Sequence, residues 1–60
     1  MMQLDDKIRY WRLKYAEMRI YQVMHEAFLD YEYANIYRKT VKDIENLLNV
    51  LENLKWPSQS

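Results

Sequence analysis

Sixty residues allow one domain at most, and half are apolar, with six tyrosines and two tryptophans among them, so the chain is made to bury surface and not to stay disordered. Nine Lys or Arg balance nine Asp or Glu, which removes any global field that would steer it onto nucleic acid or an anionic membrane. With no cysteine and a single histidine, disulfides are excluded and a structural zinc site has too few ligands.

A chain this short gains little from its own core, because burial and conformational entropy nearly cancel. Oligomerisation is the remedy left, and by elimination at least a homodimer is expected. No apolar run approaches the roughly 18 residues that span a bilayer, and the first residues lack a signal-peptide core. The expectation is a soluble, cytoplasmic protein with no membrane role and no cofactor.

Met1–Leu4 reads as a frayed start. Asp5 and Asp6 follow as caps for a first helix and suit its positive end, and Asp5 is spaced to pair with Arg9. From there to Leu29 no glycine or proline interrupts. This helix has two apolar faces. Leu4, Ile8, Trp11, Tyr15 and Met18 follow one another at spacings of three and four, and so do Leu13, Ala16, Ile20, Val23 and Ala27 on the opposite side. One neighbour is the rest of the chain, and the other is a second chain.

Leu13 to Leu51 also reads as a heptad. Leu13, Ile20, Ala27, Ala34, Val41 and Leu48 hold one seam position; Ala16, Val23, Asp30, Tyr37, Ile44 and Leu51 hold the other. Asp30 is the one charged residue in that seam. It is also a good N-cap, with Glu32 in the next turn and Leu29 placed to staple against Ala34. A turn near Asp30 sets the basic segment Lys7–Lys14 beside Glu45 and Glu52. The alternative is a turn near Thr40, where Thr40 and Asp43 have capping-box spacing, but it sets Glu26 near Glu52 and Glu32 near Glu45. A single unbroken helix is the third reading.

In the last helix, Val41, Ile44, Leu47, Leu48, Leu51 and Leu54 form one broad apolar face. Lys42, Glu45, Asn46, Asn49, Glu52 and Asn53 form the opposite one, as in a one-sided outer helix. Pro57 disfavours helix at Trp56, Lys55 suits the negative helix end, and Pro57–Ser60 reads as a disordered tail. The architecture expected is all-α: residues 1–56 form one helical hairpin of two antiparallel helices, paired with a second copy in an antiparallel four-helix bundle. The first helix lies inside, and Ala16, Ala27 and Ala34 allow close approach.

Four stretches carry chemistry. His25 has Glu26, Asp30 and Glu32 near it but no serine, cysteine or second histidine, so a structural role outweighs catalysis and no enzyme is expected. Ile8, Trp11, Tyr15 and Met18 are of the types enriched in interface cores and are assigned to the dimer or partner interface. Tyr31, Glu32 and Tyr33 form an acidic, aromatic surface read as partner-binding. It would suit a basic partner such as the DNA-contacting face of a transcription factor. Lys7, Arg9, Arg12, Lys14 and Arg19 interleave with Tyr10, Trp11 and Tyr15, a mixture able to meet phosphates and stack on bases, although the cations do not share one face.

The function expected is a small non-enzymatic regulator or adaptor, working as a homodimer by docking on one larger protein. A minimal chain of this kind would fit an accessory factor of a phage or other mobile element. The alternative is a dimeric nucleic-acid binder using the 7–19 segment, and the third reading is a structural assembly subunit.

Overall fold

The computed structural model describes Gln3–Lys55. Two antiparallel helices pack side by side: α1 spans Leu4–Ala27 and α2 spans Tyr31–Lys55. The chain is therefore an all-α helical hairpin. Trp56 and the Pro57–Ser60 tail lie outside the described residues.

The helix α1 begins one residue before the aspartates. Gln3 is its N-cap and makes no side-chain capping bond, while Asp5 and Asp6 sit in the first turn, where they still complement the positive helix end. Asp5 does not pair with Arg9 one turn on; it reaches across to Lys55.

The chain reverses over Phe28–Asp30 without a glycine. The Leu29 N–H donates to the Glu26 carbonyl at 3.1 Å and the Asp30 N–H to the His25 carbonyl at 2.8 Å. These are the two bonds of a Schellman closure, which needs a left-handed residue between them. Leu29 supplies it, with φ 59°. The expected staple does not form, since Leu29 is 70% exposed while Ala34 is buried against α1. At the alternative turn, helix runs straight through, and the Thr40 hydroxyl donates back to the Ile36 carbonyl at 3.0 Å. A mid-helix threonine that cannot cap commonly does this.

Burial is confined to the seam between the helices. Ile8, Ala34, Val41 and Ile44 are the buried apolar residues. Around them Leu4, Trp11, Tyr15, Met18, Tyr37, Leu47, Leu48 and Leu51 are half-buried. The α2 half of the heptad thus faces inward as expected, while Leu54, read as part of that helix's apolar face, is exposed at the helix end. The α1 half does not. Leu13, Ile20 and Val23 are exposed, and Ala16 and Ala27 with them.

The face α1 turns to α2 is the other one, with Ile8 buried and Trp11, Tyr15 and Met18 half-buried, so the residues assigned to a dimer or partner interface line the seam within the chain. Size explains the choice. Trp11, Tyr15 and Met18 offer more surface to a single neighbour than the alternative stripe with its two alanines, and burial is worth about 25 cal/mol per Å² of apolar area.

Because Leu29 bears a Cβ in the left-handed region and buries little, Leu29→Gly relieves strain without loss of packing. The variant is expected to be more stable by about 1 kcal/mol, read as a raised urea midpoint with unchanged m-value.

Candidate interaction surfaces

The hairpin has two unlike edges. On one, Asp5, Arg12 and Glu26 of α1 fall within a narrow arc at about 100° per residue. They meet Lys55, Glu52 and Arg38 of α2, with Arg12–Glu52 at 2.6 Å and Glu26–Arg38 at 3.8 Å. These pairs span the length of the hairpin and agree only with the antiparallel register. Glu52 is one of the two carboxylates that folding at Asp30 sets beside the basic segment; Glu45, the other, makes no ion pair among the described residues.

The other edge is aromatic. Tyr21 lies against Tyr37, with ring centroids 5.5 Å apart. The His25 ring stacks on Tyr37 at 5.2 Å and on Tyr33 at 5.5 Å. Its Nδ1 lies 3.3 Å from the Asp30 carboxylate across the turn. Asp30 therefore ties the end of α1 to the start of α2. The histidine is half-buried and lies against both tyrosine rings. Sequence reading placed Tyr37 in the seam but missed this stack, which only the register of the turn creates.

Beyond the edges, two exposed apolar regions join. Leu13, Ile20, Val23 and Met24 run along the outer face of α1, with Leu13 62% and Ile20 59% exposed. They lead to the apex of the turn, where Phe28 is 79% exposed and Leu29, Tyr31 and Tyr33 are open as well. Glu32 stands exposed among them, so Tyr31, Glu32 and Tyr33 do share an end of the molecule. Tyr33 keeps one side against His25.

The five cations of the 7–19 segment are not brought together. Arg12 is held by Glu52, and Lys14 by Glu17 at 3.4 Å with its ammonium 5.7 Å above the Tyr10 ring. Lys7, Arg9 and Arg19 are exposed and point to different sides of α1. A cleft of about 280 Å³ at the open end is lined by Asp5, Ile8, Arg9, Arg12, Glu52 and Lys55. Its size is at the lower limit for small-molecule sites, and Asp5, Arg12, Glu52 and Lys55 are engaged with one another across it.

Among the described residues no cluster of His, Cys, Asp and Glu could hold a metal ion, and no helix is long and apolar enough to cross a membrane. Comparison with protein-family models, curated proteins and solved structures returned no match.

The two edges differ in what they contribute to stability. Arg12 and Glu52 are solvent-exposed, so Arg12→Ala is expected to cost under about 1 kcal/mol, an effect that fades with added salt. Tyr37→Ala, which empties the seam beside His25 and Tyr21, is expected to cost about 2–3 kcal/mol regardless of salt, as a partly buried large-to-small change. Urea titrations at low and high ionic strength separate the two.

Proposed function

We propose that this protein is a non-enzymatic docking module, a cytoplasmic regulator or adaptor that acts as a homodimer by contact with a larger protein. The observation that carries this reading is the series of exposed apolar residues Leu13, Ile20, Val23, Met24, Phe28, Leu29, Tyr31 and Tyr33. Contiguous apolar patches of more than a few hundred Å² are rarely left open on a chain that acts alone. The straight part along α1 suits a second helix, and the apex suits a separate partner. Phe28, Tyr31 and Tyr33 supply apolar and aromatic contact there, and Asp30 and Glu32 favour a basic one. Aromatic side chains make effective anchors because they bury much area for little rotamer entropy.

Arg9, Arg19 and Lys7, which make no ion pair within the described residues, keep nucleic-acid binding as a second reading. It is the weaker one, because Arg12 and Lys14 are held by carboxylates of the same chain. It requires affinity that falls steeply with salt and weakens when Arg9 and Arg12 become alanine. The docking reading requires that one and the same protein be retrieved after nuclease treatment.

Replacing Tyr31, Glu32 and Tyr33 together by alanine should abolish that retrieval while the circular dichroism of the helices stays intact. Undiminished retrieval by the triple variant would remove the apex from the proposal. A chain that retrieves only itself would favour an assembly subunit.

A further inference from the structure

We infer that the outer face of α1 is covered by α1 of a second copy running antiparallel, with the twofold axis passing beside Ile20. This inference rests on the homodimeric part of the proposed function and adds to it a face, a direction and a register. The hairpin is two helices side by side, so no helix of the described chain packs on the outer face of α1.

The face itself is self-complementary in one direction. Leu13, Ala16, Ile20, Val23, Met24 and Ala27 place a small side chain near each end of a bulky centre. Antiparallel pairing about Ile20 sets Leu13 of one copy opposite Ala27 of the second and Ala16 opposite Met24, while Ile20 meets its own counterpart. Leu13, Met24 and Ile20 then face a small side chain or an equal, which lets the helices approach closely there, while Val23 falls opposite Glu17 at the margin of the face.

Charge chooses the same direction. Asp5, Asp6, Lys7, Arg9, Arg12 and Lys14 give the first half of α1 a net of two positive charges, while Glu26, Asp30 and Glu32 make its end and turn acidic. Antiparallel pairing brings each copy's net-basic half beside the other's acidic turn. Parallel pairing would set like beside like, a repulsive arrangement. The antiparallel dimer also carries its two apices at opposite ends, so one dimer could bridge two partner molecules instead of presenting a single double site.

The full chain lacks cysteine, which makes orientation directly readable. Leu13→Cys and Ala27→Cys both fall at exposed positions and leave the hairpin seam untouched. Mixed and oxidised, the two variants should give a disulfide-linked dimer that joins position 13 of one copy to position 27 of the other. Leu13→Cys alone should give none, because its two copies would stand about 20 Å apart along the axis. Light scattering of the unmodified chain at micromolar concentration should report twice 7.5 kDa. Ile20→Lys should weaken the dimer on the order of 100-fold while keeping its helical circular dichroism, since it places a charge in the centre of the seam.

Self-cross-linked Leu13→Cys without the mixed product would overturn the antiparallel direction and leave self-association standing. Undiminished dimers of Ile20→Lys would overturn the choice of face. A folded 7.5 kDa particle would overturn the pairing together with the homodimeric part of the function, and would assign the stripe to a different partner.

Discussion

Two helices share a single seam, and that seam buries little. Ile8 of α1 and Ala34, Val41 and Ile44 of α2 are the buried apolar residues, and no large side chain is fully enclosed among the described residues. Trp11, Tyr15, Met18 and Tyr37 cover them from the sides but keep part of their surface in water. Each of the other features follows from this shortage. The ion pairs line one margin of the seam and the stacked rings line the other, because both margins are open to solvent and no third helix of the described chain fills either. Exposed pairs such as Arg12–Glu52 set register more than they supply energy, so the packing of a few aliphatic and aromatic groups must carry the fold.

The turn shows how tightly the reversal is specified in the absence of glycine. A left-handed leucine is unfavourable by about 1–2 kcal/mol, and nothing buries it in return. What holds it is the pair of Schellman bonds together with the link from His25 to Asp30. The same link brings His25 under Tyr33 and Tyr37 and so completes the aromatic margin. Backbone strain of this kind commonly sits where the surrounding structure has a use for it. Here the strained residue lifts Phe28 and its own side chain into solvent at the tip of the molecule.

The parts legible in the sequence were those with one physical answer. In α2 the apolar residues lie on one side, so only one face could turn inward, and Val41 and Ile44 do. Asp30 was readable as the turn because a lone charge interrupts the seam there and because the basic segment then finds Glu52. The inner face of α1 was not readable, since Ile8 with Trp11 and Leu13 with Ile20 satisfy the same spacing and only the size of the side chains decides between them. Nor did the heptad reveal its own break. It runs on through the turn in sequence, while in space the chain changes from presenting that stripe outward in α1 to presenting it inward in α2. The Gln3 cap left no signal at all, because it makes no side-chain bond.

That break bears on the proposed function. A heptad stripe that lay inside both helices would instead leave Ile8, Trp11, Tyr15 and Met18 on the outside of α1. Here half of the stripe is committed within the chain and half remains outside, so the same repeat that closes one layer supplies the surface for the next. Leu13, Ile20 and Met24 continue without interruption into Phe28 and Tyr31, whereas a straight helix laid against α1 covers only the first three. Under the proposed pairing the exposed rings of Phe28 and Tyr31 lie past Ala27, the last residue of the paired stripe. An anchor already fixed by packing loses less entropy when a partner arrives. A second layer would thus do two things at once: it would complete the missing core and stiffen the surface through which the module docks.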